Sequence, residues 1–524
     1  MNRTVNKQPK KQIMKTIQQS TKGTGRIRLL RGLTGMLMAL GLATTAWGAT
    51  YTYDNGYTNL GGFMTLGVGD VMIVSNGAVA VNDKGLIGNS PTHSNNVVVV
   101  TGAGSIWSNT ATAGGYSLIL GNSASSNNSL TIRDGGTVVA NGQIPTLGNY
   151  YGVSNKVLIS GGTFDAWDQP IYVAGTRGSI VVSNGGVVKT ERLWIPGMDN
   201  TILISGPNSV WTNKSVGASL LGWSSSGNQL ILSNGGRFMT AFQVYLGYNS
   251  AAGSNNVFTV TGKDSLLSVS SGNGNLWVGY NSGSGNQLIV TNGGELRSQT
   301  LGIGQGAGAT NSLVLISGTG SLARVASYVT YGTGGGGMLL INDGGTLEAN
   351  ALYSAPSQAM IISNNGGIYQ FTTATMTVTQ GSANSILSHN GTISFRGIAN
   401  APTAIEGTQL TNIVFSGNTG YRLDGASNTS VASYTFNTGS PTNYQQLTLA
   451  NGGRWRSTTL AVGSGGELNG NGTIASDSVT NNGVIAPGFS PGLITFTSNL
   501  VLGPTSDLQM EIGGTPIISD KGER

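Results

Sequence analysis

The chain has 524 residues, 84 of them glycine, and only 9% are charged, against about 25% in ordinary domains. Its formal charge of +6 does not mark a nucleic-acid binder. Nine of the 26 basic residues lie from Arg3 to Arg31, ahead of the first acidic residue, Asp54, and the rest balance at 17 basic to 20 acidic, or −3. Cysteine is absent, so disulfides are excluded, a state compatible with export through a membrane in unfolded form.

Residues 1–48 have the three parts of a secretory signal. A basic stretch precedes an apolar core from Leu33 to Leu42, and a small-residue exit follows at Ala46-Trp47-Gly48. A cut after Gly48 or Ala49 is expected. A retained membrane anchor is disfavoured, because a spanning helix needs about 20 apolar residues. This core is half that and contains Gly35 and Gly41.

From Gly62 onward one pattern recurs. Its clearest copies are Ser226–Gly236 (SGNQLILSNGG) and Ser284–Gly294 (SGNQLIVTNGG). In each, an amide precedes apolar residues two apart, the strand period, and an Asn-Gly-Gly corner follows, where a tight turn demands positive φ. Copies start at Asp70, Asn96, Asn128, Asn155, Gly178, Asn200, Asn228, Asn256, Asn286, Asn311, Gly337 and Gln358, a mean spacing of about 26 residues. Second strands ending in glycine lie between the corners (Leu118–Gly121, Val244–Gly247, Leu276–Gly279, Leu301–Gly304). A third type ends Val-Thr-Gly or Ile-Ser-Gly and leads to Trp107 or Trp211. A coil of this length is too short for a propeller blade of about 40–45 residues. The expected fold is all-β: a right-handed, single-stranded parallel β-helix of about 16 coils with ~26 residues each, a rod of about 75–80 Å. Stacking buries the inward Leu, Ile and Val residues that no single coil could cover. It also places Asn200, Asn228, Asn256, Asn286 and Asn311 in one file, as an amide ladder, as strand-starting turn residues, or as both.

The chain thus divides into a signal (1–48), regular coils (49–370), irregular coils with longer loops (371–446) and a C-terminal capping segment (447–524). In the third part alternation persists (Met376 and Val378, Ile393 and Phe395, Ile413 and Phe415) without corners until Asn451-Gly452-Gly453. In the last, Pro487-Gly488-Phe489-Ser490-Pro491-Gly492 must break a regular strand, and a solenoid end needs covering.

The N-x-L-x-I…N-G-G corners, the Leu276–Tyr280 strand and the Thr101–Trp107 segment resemble the type V secretion / PEP-CTERM-associated repeat. The Glu467–Ile474, Val484–Gly492 and Glu511–Gly514 segments resemble the autotransporter-associated β-strand repeat. The resemblance spans roughly residues 62–514. It implies export to the cell surface or medium as a β-solenoid, often in adhesin-like roles. An outer-membrane barrel or sorting tail usually follows in such proteins; none precedes Arg524, so membrane contact is expected only through the export signal or an anchor beyond that residue.

Residues suited to chemistry are sparse. Asp165 and Asp168 form the closest carboxylate pair, but three positions along a strand put them on opposite faces, whereas glycoside hydrolysis needs two carboxylates about 5–9.5 Å apart around one sugar. His93 and His389 are the only histidines, and they are distant in sequence. Asp134 and Asp343 each precede Gly-Gly as corner residues. The glycines of Gly302–Gly308 lack the strand-then-helix context of a phosphate loop. No catalytic, metal-binding or cofactor-binding residue, and no cofactor, is expected. Trp107 and Trp211 occupy a position filled by Leu267 and Ala323 in other copies and read as core. Trp167, Trp194, Trp223 and Trp455 fall outside it and are the surface contacts to weigh.

The expected function is an exported, non-enzymatic stalk, adhesin or envelope-matrix protein. Its expected partners are extracellular glycans or cell-envelope components, and no nucleic acid. The alternatives are a carbohydrate-active β-helix enzyme, requiring clustered carboxylates from 371–446, and a glycan-binding module, requiring exposed aromatic rings in a row.

Overall fold

The computed structural model describes residues 48–510, except 112–114, 150, 215–216, 271, 332–336, 355–359, 489–491 and most links between strands in 372–465; from 350 to 459 it describes strand backbone only. The expected leader, the repeat start at Gln358, and the side chains of His389 and Trp455 therefore lie outside the described residues.

All described secondary structure is strand, and the named strand pairs run parallel. Each regular coil contributes three strands, and each strand pairs in register with its equivalent one coil away, giving three parallel sheets around a single bore. One coil shows how. Gln229–Ser233 lies on the first sheet with Leu230 and Leu232 inward; Asn234-Gly235-Gly236 turns the corner. Arg237–Thr240 lies on the second sheet with Phe238 inward, and Val244–Leu246 on the third with Val244 and Leu246 inward. Every inward side chain rests on its counterparts above and below, so the core is one continuous column from Leu66 to Ala349. Each buried Leu, Val or Phe contributes about 1.5–3 kcal/mol. An apolar void of about 30 Å³ lies in the bore, lined by residues from Leu118 to Trp211.

The all-β parallel solenoid is as expected. Its regular body makes about 12 turns, fewer than the ~16 coils expected for the chain as a whole. From Glu295–Gln305 onward single long strands serve two sheets at once, as Met360–Phe371 and Gln445–Trp455 also do, and the parallel pairing continues beyond Phe371.

The corners explain the glycines. Asn234 sits at φ +50° and Gly235 at +87°, the left-handed region where Asn and Gly are favoured. Gly236 has an ordinary φ, but a Cβ there would overlap the Ile204 carbonyl oxygen of the coil before. The same close approach recurs at Gly186 and Gly294.

Candidate functional site

Two ordered arrays come from the stacking, one inside the wall and one on its outer surface. The inner array is the amide file. Asn228 Oδ1 accepts from both the backbone N–H and Nδ2 of Asn200, at 3.0 and 3.2 Å. Asn256 does the same for Asn228, and Asn286 for Asn256. A second run joins Asn96 to Asn128 and Asn128 to Asn155. These amides are essentially inaccessible to solvent. The remaining amide proton also finds an acceptor; Asn256 Nδ2 donates to Ser225 O at 3.1 Å.

Asn311 is not in the file. The pairing of Gln287 with Leu313 places Ser312 opposite Asn286, and Asn311 occupies the preceding turn position at φ +55°. Its sequence neighbourhood resembles a strand start because Asn serves both as ladder amide and as left-handed turn residue. The glycines that end the third-sheet strands answer the same file: a Cβ on Gly121, Gly222 or Gly247 would overlap the amide of Asn155, Asn256 or Asn286.

A further device was not recognised in the sequence. Corners of the Asn-Gly-Gly kind alternate with Gly-x-x-Ser corners, and the serine of the second kind caps the first. Ser209, Ser265 and Ser321 Oγ accept from the backbone N–H of Gly185, Gly235 and Gly293 at 3.0–3.2 Å. The repeating unit there is a pair of coils. The signal was present in T-G-K-D-S and S-G-T-G-S, one coil after each Asn-Gly-Gly corner.

The outer array lies on the third sheet. Register places Thr146, Tyr172, Trp194, Leu220, Tyr245, Trp277 and Gly302 in one file on the outer side of the sheet, with Thr146, Leu220 and Gly302 covered and the four rings part-exposed. Tyr172 and Trp194 have ring centroids 4.8 Å apart, and Trp223 meets Trp194 edge-on at 5.1 Å. The Arg192 guanidinium lies 4.2 Å from the Trp194 ring centroid, and its Nε is 3.6 Å from Glu191. Two coils further on, Tyr245, Tyr248 and Tyr280 form a cluster. Tyr248 and Tyr280 stack at 5.4 Å with an interplanar angle of 10°, and Trp277 joins through Tyr280 at 5.8 Å. The Trp277 indole covers Gly302, where any Cβ would collide with the ring. Its Nε1–H is buried and has no acceptor among the described residues. All these rings are half-buried. Burial raises the Tyr245 hydroxyl to about 12, with Tyr280 and Tyr248 adding to the effect. Exposed Asn249 and Asn281 flank the tyrosines, Asn281 Nδ2 donating to Asn249 Oδ1 at 3.1 Å.

The weighed residues fall as follows. Trp107 and Trp211 are core, with their indole N–H groups donating to Asn82 and Asn213 at 2.7 and 2.9 Å. Trp194 and Trp223 belong to the outer array. Asp165 faces outward 3.9 Å from Lys189, while Asp168 pairs with Lys214 at 2.6 Å, so each carboxylate is held by its own lysine. A larger ion-pair set lies on the second sheet, where Arg324 bridges Glu295 and Glu348 at 2.6 and 3.0 Å. Burial alone would raise the Glu295 carboxyl, but hydrogen bonds and charge from Arg297 and Arg324 outweigh it and hold it below its ordinary value. Among the described residues no group of three or more His, Cys, Asp or Glu is placed to hold a metal ion. A scan against protein-family models finds no match to this chain, and a search of curated proteins finds none either.

Proposed function

We propose that the chain is an exported, non-enzymatic β-solenoid that serves as a surface stalk, adhesin or envelope-matrix protein. The observation that carries the reading is the stack itself, parallel coils that present the same three sheets turn after turn. Its first described strand is Thr50–Asp54, and the backbone N–H of Ala49 donates to Asp70 of the next coil at 2.8 Å. The resemblance to type V secretion / PEP-CTERM-associated repeats supports the same reading, as does a body with low charge that is not basic. Its mechanism is geometric. A rod of about 12 turns extends roughly 58 Å at ~4.8 Å per strand. It repeats the same side chains along each face, which favours many weak contacts over one strong site.

Among the described residues the enzymatic reading is less favoured, because Asp165 and Asp168 are divided between two lysines and Arg324 stands between Glu295 and Glu348; the carboxylates of 371–446 that it calls for lie outside the described side chains. The test is protease shaving of intact cells that express the full chain, with N-terminal sequencing of the mature protein. The reading expects surface digestion and a mature start at Ala49 or Thr50. A protease-protected chain that keeps Met1 overturns it.

A further inference from the structure

We propose that the outward aromatic file of the third sheet is a binding platform for a neutral polysaccharide, an inference that rests on the reading of the chain as an exported surface protein. Four rings, Tyr172, Trp194, Tyr245 and Trp277, lie along the axis over five coils, about 19 Å at ~4.8 Å per strand. A linear ligand running parallel to the rod can therefore meet several rings at once. Pyranose rings present C–H bonds carrying partial positive charge, which suit the negative face of an aromatic ring. Their hydroxyls require polar neighbours, and Asn249 and Asn281 supply exposed amides beside Tyr248 and Tyr280.

The electrostatics choose among ligands. Arg192 is the cation on the file, and Glu191 lies 3.6 Å from it, so the platform has no net positive charge to hold an acidic polymer. A single-stranded nucleic acid also stacks on aromatic rings, but it needs a basic groove that tracks its phosphates. A protein partner of ordinary affinity needs a dry patch that excludes water. Here the file of rings is interrupted by Leu220, between Trp194 and Tyr245, and flanked by amides.

Native affinity electrophoresis of the mature chain tests the proposal. The gels contain xyloglucan, galactomannan, hydroxyethylcellulose or dextran, with alginate as an acidic comparator. The informative variant replaces two rings with the residue that Thr146 already places in this file, Trp194→Thr with Trp277→Thr. Met239→Thr, on the outer surface of the second sheet, is the control. Circular dichroism confirms that each keeps its strand signal.

At least one neutral polymer is expected to retard the chain. The double variant should lose affinity tenfold or more, and the control should retain it. No retardation by any of the four neutral polymers overturns the proposal. So does equal binding by the folded double variant, or retention by alginate alone that salt abolishes. If the double variant does not fold, quenching of tryptophan fluorescence in the unaltered chain by the retarding polymer supports the platform, and unchanged fluorescence overturns it. Cell-surface exposure is measured independently, so a chain that is exported but unretarded sinks the platform and leaves the export reading standing.

Discussion

Two stretches of the same wall differ in how they are held. From Asn200 to Asn286 each coil carries its ladder amide, and Asn-Gly-Gly corners alternate with Gly-x-x-Ser corners. Around Gly178 both devices lapse. Gly178 has no side chain to offer, so Asn155 has no amide to donate to and Asn200 Oδ1 accepts only the Gly178 backbone N–H, at 2.8 Å. The corners on either side are Ser160-Gly161-Gly162 and Asn184-Gly185-Gly186, two Gly-Gly turns in succession. Yet Lys156–Ser160, Ser179–Ser183 and Thr201–Ser205 remain in register throughout. Register is therefore set by the backbone ladder and by inward residues such as Ile159, Val182 and Ile204. The amide file adds hydrogen bonds to a stack that stands without it.

That contrast yields measurable differences. Asn228→Ala removes the acceptor for two N–H groups of Asn200 and the donor to Asn256, all buried, and should cost about 3 kcal/mol. Asn200→Ala, next to the gap, loses one fewer amide contact and should cost about 1 kcal/mol less. Urea unfolding of both variants checks this, and equal losses would show that the file is not cooperative along its length. The converse change is Gly178→Asn. Gly178 is not in the left-handed region, and the nearest atom to its Cβ would be the movable amide of Asn200. Joining the two runs into one ladder should stabilise the body by about 1 kcal/mol; a lower unfolding midpoint would show that the shortened coil has no room.

The smallest effect is outside the wall. Glu295 has a folded-state affinity for protons below the unfolded one, so its ion pairs stabilise above the ordinary carboxylate pKa of about 4.3. That contribution is lost as pH falls through the depressed folded value. These groups are partly exposed, so salt screens the effect. Glu295→Gln should flatten the acid side of the stability curve slightly at low ionic strength and not at high, as followed by thermal unfolding.

Much of this was legible before any coordinates. Leu230 and Leu232 reveal an inward face because strand side chains alternate sides every residue. Asn234-Gly235-Gly236 reveals a corner because few residues tolerate positive φ. The spacing of about 26 residues reveals stacking because one coil cannot bury its own apolar side. The candidate site was legible only in part. Trp194 and Trp223 stood out as tryptophans off the core column, but nothing in the spacing joined them to Tyr172 or to the tyrosines around Trp277.

Sequence alone determined the period, the inward residues and the corner chemistry, since these are local consequences of side-chain shape and backbone torsion. Tertiary structure decided which residues share a file. Loops between strands differ in length from coil to coil, so sequence distance does not measure height along the axis. Asn311 illustrates this, one residue out of a ladder that Ser312 completes. The aromatic file illustrates it equally, because its members become neighbours only when backbone hydrogen bonds lock each coil onto the last.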